Sequence, residues 1–257
     1  MPEHKLGGKG MYLYDLARVG GATPQQLVTK LVAAGLKHIY VKIADGSRAW
    51  PRKQPIFTDK VVAEAKNNAL TVWGWHYVRG NDPAGEAKIA IKQVTDLGLA
   101  GYIYDGEAQH YGLHKDAKDR AKKFVDALRA GLQTTPFGFS SDRFPKVHPN
   151  LPAAELAKGA DVLMPQVYWE GRHDPAKQLK KSIDQWKAVR NDIPIIPTGS
   201  AYRLPKKGWV IAAKELQEFC DDVKTRQLPA IDFWDWDNVI DKKNADLLKV
   251  ITDLTFP

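Results

Sequence analysis

Two carboxylates separated by a single glycine close an apolar, aromatic run, Gly101-Tyr102-Ile103-Tyr104-Asp105-Gly106-Glu107. In an extended chain residues i and i+2 share a face, so Asp105 and Glu107 can point the same way. Neighbouring acids are costly to ionise together, which pushes their pKa values apart, as acid–base chemistry requires. The same residues would serve equally well as an acidic turn whose side chains cap a following helix. The surrounding elements have to decide between the two.

Those elements repeat. From residue 11 onward a short apolar run, a polar loop and an amphipathic helix follow one another. The runs fall at residues 11–16, 38–43, 70–78, 101–110, 136–141, 161–169, 193–200 and 230–236. Thr23-Pro24-Gln25-Gln26 predicts the first helix start: an N-cap, a proline at the first helical position and a capping-box glutamine. Ala117, Ala121, Phe124, Val125 and Leu128 mark one apolar helix face after the fourth run. Strands apolar on both faces, each followed by a helix, imply a parallel sheet covered by helices. Eight such units in about 250 residues predict a single (β/α)8 barrel. A doubly wound open sheet would carry a Gly-rich phosphate turn after its first strand, which Val19-Gly20-Gly21-Ala22 matches poorly. The expected organisation is a basic N-terminal tail over residues 1–10 and a barrel over 11–257.

Composition narrows the partners. The 257 residues are 44% hydrophobic and 26% charged, as in soluble globular proteins. The net charge of +8 favours anionic surroundings such as a cell wall. Lysines are scattered over the polar sides of expected helices, which argues against a nucleic-acid groove. The lone Cys220 lies on a helical apolar stripe with Leu216, Phe219 and Val223, so it is expected in the core and not as a reactive thiol. The N-terminus lacks the apolar core of a signal peptide, and no run reaches transmembrane length. The chain is therefore expected to be made in the cytoplasm without membrane association, reaching a cell wall only by release or with a phage.

In a (β/α)8 barrel, catalytic groups gather where strands end. Those positions carry Asp15, Lys42, Asp45, His76, Tyr77, Arg79, Asp105, Glu107, His110, Ser140, Ser141, Arg143, Gln166, Tyr168, Trp169, Glu170, Thr198, Ser200, Tyr202, Trp234, Asp235, Trp236 and Asp237. The set is rich in acids and aromatics and poor in histidine pairs. Sugars present apolar C–H faces and hydroxyl edges, so this mixture suits a polysaccharide. The catalytic candidates are Glu107, Asp105, Asp15 and Asp235. Binding candidates are His76, Tyr77, Arg79, Gln166, Tyr168, Trp169, Ser200, Tyr202, Trp234, Trp236 and Asp237. Asp15 and Asp235 fit equally as caps or as ion-pair partners at the barrel rim, and any single tryptophan as core.

Asp15, Asp105-Gly106-Glu107 and Asp235 or Asp237 together resemble glycoside hydrolase family 25, the barrel muramidases. That family has an aspartate after strand one, Asp-x-Glu after strand four and an aspartate near the last strand. The resemblance implies that Glu107 is the general acid, that Asp105 orients an acetamido group or stabilises developing positive charge, and that Asp15 supports them from the rim. It implies an N-acetylated, peptidoglycan-like substrate and no cofactor. The first strand departs from the pattern, with Asp15-Leu16-Ala17 in place of Asp-x-Ser. The chitinase-like family 18 is similar in its final Asp105-x-Glu107 and in Met164-Pro165-Gln166-Val167-Tyr168-Trp169. Its longer motif would place acids at Ala100 and Ile103, which this chain lacks.

The chemistry leaves one choice open. Asp105 and Glu107, with Cα atoms about 7 Å apart on one strand, cannot easily take opposite sides of a glycosidic bond. Either Asp235 or Asp237 is the second carboxylate, or an N-acetyl group of the substrate is the nucleophile. Two rival readings remain. A metal-dependent hydrolase would draw on His76, Asp105, Glu107, His110 and His114, without the His-x-His expected on strand one. A carbohydrate-binding or cell-surface barrel would keep the cleft without turnover.

Overall fold

The computed structural model describes residues 6–16, 23–50 and 55–256. Residues 1–5 of the basic tail and the turn at 19–22 lie outside these. The strands are β1 (Gly8–Leu13), β2 (His38–Asp45), β3 (Arg48–Ala49), β4 (Thr71–Val78), β5 (Gly101–Gly106), β6 (Phe137–Asp142), β7 (Val162–Val167), β8 (Thr198–Ser200) and β9 (Ala230–Trp234). All pair in parallel except β3, a two-residue return antiparallel to β2. β1 pairs with both β9 and β2, which closes eight parallel strands into the expected barrel.

The helices that follow the strands are α1 (Pro24–Ala33), α2 (Pro55–Asn67), α3 (Pro83–Asp96), α4 (Ala108–Tyr111), α5 (Ala117–Gly131), α6 (Ala153–Lys158), α7 (Pro175–Val189), α8 (Ala213–Thr225), α9 (Trp236–Val239) and α10 (Ala245–Asp253). The capping box at α1 forms as its residues require: Gln26 N donates to Thr23 Oγ1 at 3.2 Å and Thr23 N to Gln26 Oε1 at 2.9 Å. Cys220 is fully buried on α8, and burial pushes its thiol pKa up.

Three strand boundaries differ from the sequence reading. β1 starts at Gly8, inside the stretch assigned to the tail, and stops at Leu13. β8 is only three residues long because Pro194 and Pro197 supply no N–H to a ladder. Only an isolated bridge from Ile195 to Leu163 precedes it. β9 ends at Trp234, and Asp235 begins a helix.

The barrel has two apolar layers. Between strands and helices lies the main core, including Phe124, Phe139, Leu163, Trp186 and Phe219. Inside the barrel Tyr12, Tyr40, Trp73, Trp75, Ile103, Val162 and Met164 pack together. The bulk of Trp73 is admitted by Gly101 on the neighbouring strand, where a Cβ would stand 2.1 Å from the indole. Beneath them His38 Nε2 meets Asp232 Oδ1 at 2.7 Å and Tyr40 donates to Asp232 Oδ2 at 2.9 Å, all fully buried. Gly10 makes room for this pair, since a Cβ there would lie 1.9 Å from the imidazole. Among the described residues no helix is long and apolar enough to cross a membrane.

Candidate active site

Strand alternation builds the site. Each strand sends every second side chain inward, and at the C-terminal mouth the last inward residues meet in one cleft of about 760 Å³. Tyr14 extends the inward row of Tyr12, and Lys42 that of Tyr40. Tyr77 follows Trp73 and Trp75, and Asp105 and Glu107 follow Ile103. Gln166 and Tyr168 follow Met164, and Trp234 follows Asp232. All of these row-end residues line the cleft, with Trp75, Asp45, Arg79, Gln109, Glu170 and Tyr202.

Asp105 and Glu107 thus share a face and point into the cleft. Tyr77 is the register partner of Asp105 across β4 and β5. Its hydroxyl donates to Glu107 Oε2 at 2.8 Å. Gln109 Nε2 donates to the same carboxylate oxygen at 2.5 Å. From β7, beyond β6, Gln166 Nε2 donates to Asp105 Oδ1 at 2.7 Å. Glu107 occupies the N-cap position of α4 but makes no capping bond there, so the acidic-turn reading of this carboxylate does not hold.

Burial drives the electrostatics. The Asp105 carboxyl is held well above the ordinary aspartate range, first by burial, then by the negative charges of Glu107 and Asp142. The Glu107 carboxyl is also raised, again chiefly by burial, with Asp142 adding to it; its bonds from Tyr77 and Gln109 pull the other way. A raised carboxyl in an open cleft is what a general acid at near-neutral pH needs.

The remaining carboxylates of the cleft are engaged. Asp45 accepts from Lys42 Nζ at 3.0 Å and from Arg79 Nε at 2.8 Å. Glu170 accepts a short bond from the Tyr202 hydroxyl. Tyr14, Trp75 and Trp234 form an aromatic wall, with Trp75 and Trp234 centroids 5.3 Å apart and Tyr14 stacked on Trp75 at 6.1 Å.

Several expected residues lie elsewhere; alternation explains those on and next to the strands, and the start of α9 at Trp236 explains Trp236 and Asp237. Trp234 takes the inward position, so Asp235 turns away and caps α9, accepting from Asn238 N at 3.1 Å and Asn238 Nδ2 at 2.7 Å. Asp15 follows the inward Tyr14, and its backbone N–H donates to Asp237 Oδ2 at 2.7 Å. None of Asp15, Asp235 and Asp237 lines the cleft. His76 alternates with Trp75 and Tyr77 and points outward, bonded to Tyr102 Oη at 2.7 Å and Gly46 O at 2.8 Å. Trp169 is outward too, buried against Phe219 with its indole N–H on Glu215. Trp236 is buried in the outer core, and Ser200 is buried inside the barrel wall. Tyr77, Arg79, Gln166, Tyr168, Tyr202 and Trp234 do line the cleft.

Tyr14, Trp75 and Gln109 were not singled out as site residues from the sequence. The parity of Tyr12-x-Tyr14 and Trp73-x-Trp75-x-Tyr77 is the signal that finds two of them; Gln109 sits on the short α4, which no periodicity reveals. Among the described residues no cluster of three or more His, Cys, Asp or Glu side chains could hold a metal ion.

No family model and no curated protein matches this chain. Solved structures do match. A chitinase from Chromobacterium violaceum superposes with a TM-score of 0.67 at 14% identity, covering 97% of this chain and 100% of that one. A family GH18 chitinase from Cycas revoluta, in complex with allosamidin, gives 0.70 at 12% identity over 95% of this chain and 98% of that one. The catalytic domain of a hyperthermophilic chitinase from Pyrococcus furiosus gives 0.69 at 14% identity over 98% of both. The resemblance to family 25 finds no support in these structures; the likeness runs to the chitinase-like side of the sequence reading. The chain has the single (β/α)8 barrel fold of these chitinases.

Proposed function

We propose that this protein is a glycoside hydrolase acting on an N-acetylated polysaccharide of the chitin type, with the acetamido group of the substrate as nucleophile. The supporting observation is the pairing of Asp105 and Glu107 on one strand of an aromatic-walled cleft. Facing them, among the described residues, no lining carboxylate is free of a cation or hydroxyl partner. The Cycas revoluta barrel, of the same fold, holds (GlcNAc)4.

The geometry supports the following steps. Glu107, kept protonated by burial, gives its proton to the glycosidic oxygen as the C–O bond breaks. The acetamido carbonyl oxygen closes on the anomeric carbon, and the acetamido nitrogen gains positive charge. Asp105 takes up the N–H of that group. The growing positive charge favours the carboxylate form that burial disfavours at rest, so the interaction strengthens toward the transition state. Gln166 fixes the Asp105 carboxyl for this contact. Water then attacks the anomeric carbon as its bond to the acetamido oxygen breaks, Glu107 takes the proton of the water, and the sugar leaves with its acetamido group restored and its configuration retained.

A carbohydrate-binding barrel without turnover is the second reading. It is favoured by one observation: Ile103, where the chitinase-like motif has an acid, is buried in the apolar barrel interior one inward position below Asp105. One experiment separates the two. Wild-type protein should release reducing ends from chito-oligosaccharides, and Glu107→Gln should lower kcat about 10²–10⁴-fold while still binding them. Binding without cleavage by the wild type would establish the second reading.

A further inference from the structure

Two lysines among the described residues are buried, and only one has an evident architectural task. Lys9 Nζ donates to the carbonyls of Ile251 and Thr252 at the end of α10, at 2.7 and 3.3 Å. Lys42 serves no helix end. It is an inward residue of β2 at the mouth of the cleft and is 4% exposed, where an aliphatic residue would avoid the cost of burying an ammonium.

The surroundings of this ammonium are specific. Three rings from three separate segments converge on Lys42 Nζ: Trp50 at 4.2 Å, Tyr14 at 4.8 Å and Trp75 at 4.9 Å from their centroids. Tyr14 and Trp75 are the stacked pair of the cleft wall. The charged groups facing Lys42 are Asp45 on its own strand, Arg79 after β4 and Asp105 on β5. Those facing Asp105 are Glu107, Asp142 and Lys42, with the Gln166 amide. Asp45 is shared between Lys42 and Arg79, so one positive charge of the trio is left for the cleft.

We propose that Lys42 is a positioning residue of the glycan site: its ammonium gathers Tyr14, Trp50 and Trp75 into the wall on which a sugar ring stacks, and supplies the fixed positive charge that faces Asp105. The inference rests on the glycosidase reading and assigns it a residue outside the acid pair. A cation attracted to several ring faces holds them at fixed angles, which lowers the ordering cost of stacking a sugar on the wall. The same charge makes ionisation of Asp105 easier at the moment positive charge develops in the substrate.

The test compares Lys42→Met, of similar length without charge, with Lys42→Arg, which keeps the charge. Hydrolysis of (GlcNAc)4 is followed against pH, and its affinity is measured by calorimetry in a Glu107→Gln background. Lys42→Met should weaken binding and raise KM about tenfold and move the pH–rate profile to higher pH, because Asp105 loses the cation that faces it. Lys42→Arg should restore the position of the profile. Unchanged KM and profile in Lys42→Met, or an arginine variant that behaves like methionine in pH, would overturn the proposal. Should Lys42→Met not fold, Trp50→Leu carries the test of the wall: it should raise KM without moving the pH profile, and an unchanged KM sinks the idea. Wild type that cleaves and binds normally beside indifferent Lys42 variants defeats this inference alone. Wild type that neither cleaves nor binds the oligosaccharide defeats the glycosidase reading with it.

Discussion

The Tyr77 hydroxyl donates to Glu107 Oε2 at 2.8 Å while Gln109 Nε2 donates to both atoms, at 2.5 Å to the carboxylate oxygen and 2.7 Å to the phenol oxygen. This triangle stabilises the ionised form of a carboxyl that burial holds protonated. Tyr77→Phe removes one donor and should raise the Glu107 pKa further. The alkaline limb of kcat/KM should then move to higher pH, and its plateau should fall about tenfold, the worth of one hydrogen bond to a charged group. A limb that stays in place or moves down would show that Tyr77 does not act on Glu107.

Gln166 is the donor that fixes Asp105, at 2.7 Å. Gln166→Leu leaves the Asp105 carboxyl without that bond in a site where it has to meet an acetamido N–H. kcat should drop about 10²-fold, with KM moving far less, because the contact matters most as charge develops. Steady-state kinetics on chito-oligosaccharides reads the split. Equal losses in ground-state affinity would make Gln166 a binding residue only.

Two tryptophans, one facing inward and one outward, should behave oppositely. Trp234 lines the cleft, whereas Trp169 is buried against Phe219 outside the barrel. Trp234→Ala should weaken oligosaccharide binding by about 2 kcal/mol, as for an exposed aromatic anchor. Trp169→Ala should cost about 3–5 kcal/mol of folding stability. Denaturant unfolding and calorimetry on both variants check the pair; a Trp169 variant that is stable but fails to bind would contradict the assignment.

Asp237 gives the fold a pH dependence separate from catalysis. Burial, with Asp235 and Asp15 adding negative charge, raises its carboxyl to about 7. The folded chain therefore holds a proton there that the unfolded chain releases above an ordinary aspartate pKa. The stabilising contribution is fully present below about 3.8 and is lost as pH rises through about 7. Asp237→Asn keeps an oxygen for the Asp15 N–H and should flatten this decline, so its melting temperature at pH 8 should exceed that of the wild type. A wild-type advantage at pH 8 would mean that Asp237 is stabilised as a carboxylate.

The eight strand-and-helix units could be read in order because each strand is apolar on both faces and each helix carries a 3.6-residue stripe; both patterns are local. The acid pair was legible for the same reason, since Asp105 and Glu107 share a face in any extended chain. Position at a strand end was too coarse to pick their companions. It put His76 and Trp169 in the site, where one-residue alternation turns both outward, and it made Asp15 a rim support and Asp235 or Asp237 the second carboxylate, where Tyr14 and Trp234 face the cleft instead. Choosing between those rows requires knowing which face of each strand is the inside of the barrel. That is set by closure of β1 on β9, a contact between residues more than two hundred positions apart. The sequence by itself determined a closed parallel barrel and a paired acid at the end of its fourth long strand. Only the tertiary structure decided how Tyr77, Gln109, Gln166 and Lys42 surround that pair, because they come from separate segments that the strand register brings beside it.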